Sequence, residues 1–142
     1  MVQCLLAPGI EVSVDLTGRS PLHYAALTNE AAVVTRLIGR GAPPDSSETK
    51  GFTPLHLASQ EHALAAAARL LNLGAAVDPV NAFGNTALFV AVFNSRGRPE
   101  MIHLLRLHGA DPLHSNAAGQ TPVGLARLIG NYDVAQYFQD LL

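Results

Sequence analysis

The sequence predicts an all-α solenoid, built of helix–turn–helix units stacked side by side with projecting β-turn or hairpin fingers. Three observations carry that prediction. The phrase Gly-x-Ser/Thr-Pro/Ala occurs four times, at Gly18, Gly51, Gly84 and Gly119, at intervals of 33, 33 and 35 residues. A fixed period of this length is the signature of stacked supersecondary units. Gly-Ala recurs at Gly41, Gly74 and Gly109, each time 10 residues before the next turn glycine. Finally, 49% of the 142 residues are apolar with no Trp at all, and Ala is abundant, as suits helices that pack closely against their neighbours.

Residues 1–14 read as an N-terminal half-repeat or cap, because Leu5-Leu6-Ala7-Pro8-Gly9 resembles the close of a second helix. Full units are expected at 15–47, 48–80 and 81–115, with 116–142 as a fourth unit that also closes the stack. Each unit opens on a polar tip carrying Gly, which takes up the positive φ of a tight turn without steric cost. Ser20, Thr53, Thr86 or Thr121 follows as a helix cap. Pro21, Pro54 and Pro122 then occupy the first helical position, where the missing N–H is harmless. A compact first helix ends near the small Ala25, Ala58, Ala91 or Ala126. Second helices end in Leu37-Ile38, Leu70-Leu71 and Leu104-Leu105, and the Gly-Ala pairs terminate them. The third unit holds two extra residues between Ala91 and Met101, and Gly97 and Pro99 place them in an enlarged helix-to-helix turn. Asp133 to Asp140 interleaves polar and apolar residues and reads as a closing helix.

Thr53-Pro54-Leu55-His56-Leu57-Ala58, followed about 20 residues later by Gly74-Ala75 and repeated at a 33-residue step, resembles the ankyrin repeat. The resemblance covers roughly Asp15 to Leu142. It implies a curved slab with protruding turns and a concave surface of first helices. It also implies that His23 and His56 bond back toward the cap residue and neighbouring backbone. Copy three departs from the pattern with Ala87-Leu88-Phe89, and copy four with Val123-Gly124, so those links are expected at His23 and His56 only. Asn131-Tyr132-Asp133-Val134 resembles small stand-alone bacterial ankyrin proteins. Arg outnumbers Lys eight to one, which fits a GC-rich bacterial genome or a chance bias in a short chain.

The chemistry expected of other classes has no visible carrier. A net charge of -2 does not suit a nucleic-acid partner, which would favour a basic stripe. No apolar run reaches the roughly 18 residues of a membrane span, and the first residues lack the basic start of a secretion signal. The single Cys4 cannot form an internal disulfide, which suits a reducing, cytoplasmic setting. His103, His108 and His114 lie five and six residues apart, a spacing that stacks no two ligands on one helical face, so no metal is expected. Glu30, Glu48, Glu61 and Glu100 are scattered singly, no glycine-rich phosphate loop is present, and neither an enzyme nor a cofactor is indicated.

Binding is then expected on the turn tips and the concave face, through residues that the repeat leaves free. Phe52 and Phe83 occupy tips, either as partner anchors or folded back on their own helix. Stepping by the period selects Glu61, then Phe93 and Asn94, then Leu128 and Ile129; the apolar Phe93, Leu128 and Ile129 either contact a partner or pack under the closing unit. Arg96 and Arg98 sit in the insertion, either as part of an inert surface loop or as a grip on a partner's carboxylates. These nine residues form the expected site of a non-catalytic module, monomeric when free, that recognises a folded protein. The ankyrin resemblance extends to inhibitors or immunity proteins that cover a toxin or enzyme. The alternative is an ankyrin segment of a larger scaffold or signalling protein.

Overall fold

A computed structural model describes residues 18–130 and 132–141. The expected N-terminal half-repeat, Cys4 and the first tip ahead of Gly18 lie outside those residues. Seven α-helices follow in order: α1 (Pro21–Leu27), α2 (Ala31–Gly39), α3 (Pro54–Gln60), α4 (Leu64–Asn72), α5 (Ala87–Phe93), α6 (Glu100–Leu107) and α7 (Pro122–Leu128). A 3-10 helix over Val134–Leu141 comes last. Helices this short are marginal alone and depend on packing. α1, α3, α5 and α7 pack in sequence as one layer, and α2, α4 and α6 as a second layer behind it.

Why each first helix starts where it does follows from its cap. Thr53, Thr86 and Thr121 are extended at the helix start, and their hydroxyls accept the amides of His56, Phe89 and Gly124 at 3.3, 3.4 and 3.0 Å. The core then repeats by register. Leu22, Leu55, Leu88 and Val123 are buried at equivalent places, as are Ala25, Ala58, Ala91 and Ala126, where the missing bulk lets the next unit close in. Leu37, Leu70 and Leu105 fill the rear layer.

The tips are hydrogen-bonded turns, and no strand occurs among the described residues. In the second unit, the Gly51 amide bonds the Glu48 carbonyl at 2.9 Å, and the Glu48 amide bonds the Phe52 carbonyl at 2.9 Å. Neighbouring tips are joined by Ala82 N–H to the Lys50 carbonyl at 2.9 Å and by Ala117 N–H to the Phe83 carbonyl at 3.0 Å. Glycine is required here twice over. Gly51 and Gly84 have φ of 79° and 76°, and a Cβ on either would lie 2.9 or 2.7 Å from the amide nitrogen of the next tip. At Gly119, where no further tip lies alongside among the described residues, the same Cβ would meet nothing within 4 Å.

Two elements differ between units. The turns from α1 to α2 and from α3 to α4 take residues 28–30 and 61–63, whereas the turn from α5 to α6 spans 94–99, where the insertion was expected. All three turns pass through a left-handed residue, Asn29, His62 and Arg96, with φ of 61°, 56° and 52°, and Arg96 stands one residue later in its unit than the other two. The closing segment is helical as the sequence suggested, but 3-10 rather than α, with a non-helical Phe138 (φ -123°, ψ 23°) inside it. Its position is set by two buried anchors, Val134 and Phe138, and by Arg106. The Arg106 guanidinium lies 5.2 Å from the Phe138 ring centre and bonds both Asp140 carboxylate oxygens at 2.9 and 2.6 Å.

Candidate protein-binding groove

Between the second and third tips and the first-helix layer runs an open apolar groove of about 340 Å³. Phe52 and Phe83 reach it from the tips, and Phe89, Val90 and Phe93 from α5. Gln60, Asn85 and Asn94 supply its polar edges. Phe83 and Phe93 are 52% and 69% exposed, while Phe89 and Val90 form a nearly buried floor. Phe52 is half-buried, its ring edge-on to His56 with centroids 5.6 Å apart, so it both folds back on its own helix and walls the groove. Asn94 is fixed by its Nδ2 donating to the Val90 carbonyl at 2.9 Å.

Gln60 and Asn94 are shared with an adjoining polar hollow of about 240 Å³, completed by Glu61, Arg96 and Arg98. Glu61 accepts a bond from the Gln60 amide at 3.1 Å. Arg98 donates through Nε to the Ser95 carbonyl at 3.0 Å, and Arg96 has no hydrogen-bond or ion-pair partner among the described residues. The loop that carries both arginines is clamped from the closing segment. Tyr137 donates its hydroxyl to the Gly97 carbonyl at 2.6 Å, and the Tyr132 ring lies so near Gly97 that a Cβ there would come within 2.8 Å of it. Beneath it, His62 Nε2 lies 3.4 Å from Glu100. Partial burial, helped by the positive charge of Arg98, holds the His62 pKa below its ordinary value against the pull of Glu100.

Seven of the nine sequence-selected residues therefore surround two adjoining hollows: Phe52, Glu61, Phe83, Phe93, Asn94, Arg96 and Arg98. Leu128 and Ile129 are not brought to them. Leu128 is 70% exposed at the end of α7, and Ile129 is half-buried against the core, because the chain leaves α7 there in an extended conformation toward the closing segment. Phe89, Val90 and Gln60 were not singled out as site residues. The available signal was the break in the histidine register at Phe89.

That register is structural in the first two units. His23 Nδ1 accepts the Ser20 amide at 3.0 Å and Nε2 meets the Phe52 carbonyl at 2.9 Å; His56 repeats this with Thr53 at 3.1 Å and Asn85 at 2.8 Å. An acceptor at Nδ1 and a carbonyl at Nε2 fix the neutral tautomer with its proton on Nε2. Burial lowers both pKa values, partly opposed by the bonded carbonyls. A similar ladder links the tips. Arg19 reaches Glu48 at 3.3 Å, and Asn116 Nδ2 donates to Asn85 Oδ1 at 2.8 Å. In the seam between those two, the equivalent of Arg19 and Asn85 is Phe52, and the Asn81 Nδ2 is left buried with no hydrogen-bond partner.

Helix pairs stacked in two layers, with turns that bond from one unit to the next, define a solenoid repeat protein. A family model described as ankyrin repeats (3 copies) matches residues 27–116, and one described as ankyrin repeats (many copies) matches residues 95–139. The chain belongs to the ankyrin-repeat family, whose members are generally protein-interaction modules. Comparison with curated proteins returned no match. Among the described residues, no helix is long and apolar enough to cross a membrane, and no cluster of His, Cys, Asp and Glu is placed to hold a metal.

Proposed function

We propose that this chain is a non-catalytic binding protein that recognises a folded protein partner through the groove at the second and third units and the arginine loop beside it. One observation carries the reading: four aromatic side chains from two tips and one helix meet in a single open groove, with two of them more than half exposed. Aromatics at the centre of an interface and arginine at its side are the residue types in which binding energy concentrates. The face is organised before any partner arrives, since the tips bond each other and Tyr137 holds the loop, which limits the ordering cost of docking. Covering a partner's surface in this way is what an inhibitor or immunity protein does to a toxin or enzyme, and we place the chain in that role as a cytoplasmic monomer. The single Cys4 supports that compartment.

The test is capture from source-cell extract, followed by mass spectrometry. A Phe83→Ser/Phe93→Ser variant should fold normally and lose the stoichiometric partner. A Leu107→Ser control, changed at a residue 82% exposed on α6 and outside the groove, should keep it. Retention of the same partner by the groove variant removes this face from the account.

A further inference from the structure

We propose that the partner presents a bulky apolar side chain next to a carboxylate, the first seated among Phe83, Phe89 and Phe93 and the second on Arg96 and Arg98. This deepens the protein-binding reading and rests on it.

Shape comes first. A hollow of about 340 Å³ is at the small end of the roughly 300–1,000 Å³ range of ligand sites. Two of its walls, Phe83 and Phe93, stand more than half in solvent. An enclosed small molecule would need those walls closed over it, whereas a side chain projected from a protein surface fills the groove from the open side.

Charge then selects the neighbour. Every charged group at the adjoining hollow can be accounted for. Glu61 is held by Gln60, Glu100 faces His62, and Arg98 spends only its Nε on the Ser95 carbonyl. What remains is the whole Arg96 guanidinium and the terminal nitrogens of Arg98. Of the residues that line this hollow, Arg96 and Arg98 are cationic and Glu61 alone is anionic, with a neutral amide as its partner, so the lining keeps a net positive charge that favours an anion, and guanidinium matches a carboxylate with paired N–H donors. Glu61 also sets the register, because it repels a carboxylate placed toward α3 and leaves the loop side as the place for it.

Backbone geometry agrees. Arg96 adopts φ 52°, a left-handed conformation that long side chains seldom take, one residue beyond the place that Asn29 and His62 hold in the other units. Strain of this kind persists where surrounding structure enforces it. Here the enforcing contacts are the Tyr137 hydroxyl and the Tyr132 ring on Gly97. The loop is therefore held with its cations at the rim of the groove before a ligand binds.

The experiment uses the intact, isotopically labelled chain and three blocked dipeptides at millimolar concentration: acetyl-Phe-Glu-amide, acetyl-Phe-Gln-amide and acetyl-Gly-Glu-amide. Acetyl-Phe-Glu-amide should move the amide resonances of Phe83, Phe93, Asn94 and the 96–98 loop. It should bind about two- to fivefold more tightly than acetyl-Phe-Gln-amide, the range of an exposed ion pair. Acetyl-Gly-Glu-amide should be the weakest of the three. An Arg96→Gln/Arg98→Gln variant, changed only at exposed side chains, should bind the Glu and Gln peptides equally. The proposal is overturned by equal affinities on the intact chain, by a Glu preference that survives the double change, or by shifts absent from the groove. Equal binding of both Phe peptides in the groove would remove the carboxylate and leave the protein-binding reading standing. Loss of partner capture is read separately, with the Phe83→Ser/Phe93→Ser variant.

Discussion

The seam between the second and third units and the seam between the third and fourth use the same apolar positions but different polar fasteners. In the former, His56 ties its own cap to the neighbouring Asn85 carbonyl. In the latter, Phe89 stands where that histidine would be, and the load passes to the Asn116–Asn85 bond, the Tyr137–Gly97 bond and the Arg106–Asp140 pair. The exchange frees the base of the third unit from a polar bridge and makes it the apolar floor of the groove. A departure from the repeat at one residue therefore exchanges a polar bridge for an apolar surface.

The shared part of both seams should give the largest effect. Leu55→Ala and Leu88→Ala each remove a side chain at most 1% exposed, and each should cost about 2–5 kcal/mol in denaturant unfolding. Similar losses would show that the apolar seams are equivalent; a much smaller loss at Leu88 would make the third unit a loose appendage.

The polar fasteners come next, and pH separates them. His56→Ala leaves buried groups unsatisfied, at about 1–3 kcal/mol for each one. Burial depresses the pKa of His23 and His56 in the folded chain below 6.5, so the unfolded chain takes up the protons first as pH falls. Their contribution is complete above about pH 6.5, declines as pH drops below it, and is gone once the folded pKa is passed. Asp140, by contrast, is held below the ordinary carboxylate value by Arg106, so the last seam keeps its ion pair through that whole window. Hydrogen exchange between pH 7 and 5 should therefore open the first two seams before the last. A uniform loss of protection across all units would contradict this division.

How much of this the sequence contained depends on whether a feature obeyed the period. The helix pairs, the tips, the histidine bridges and the enlarged third turn were legible because each is a residue, or an excess of residues, at a fixed step. The groove was legible in part. Phe52, Phe83 and Phe93 stood out as aromatics where the fold asks for none, yet nothing in one dimension says that two tips and a helix end converge. Leu128 has the same register as Phe93 but lies one unit further on, beyond the insertion, where the chain leaves α7 in an extended conformation. The 3-10 geometry of the closing segment and the Tyr137 clamp depend on contacts 31 to 40 residues apart, for which no copy in the repeat gives a precedent.

Two smaller effects sharpen the comparison. Phe52→Asn offers the orphaned Asn81 amide an acceptor, reproducing the Asn116–Asn85 pair of the last seam. It should therefore be less destabilising than Phe52→Ala by about 0.5–1.5 kcal/mol in thermal melts. Equal losses would mean that the Asn81 amide is satisfied by other means. Tyr137→Phe removes one hydroxyl bond and should lower stability by about 0.5–1.5 kcal/mol. Faster exchange should be confined to the amides of the 95–98 loop.

The most direct measurement of the central claim is a hydrogen-exchange footprint of the captured partner bound to the intact chain. The account predicts new protection at the second and third tips, at the C-terminal end of α5 and along the 95–98 loop, with α4 and α6 unchanged. Protection confined to α4 and α6, with the groove exchanging as in the free chain, would contradict it.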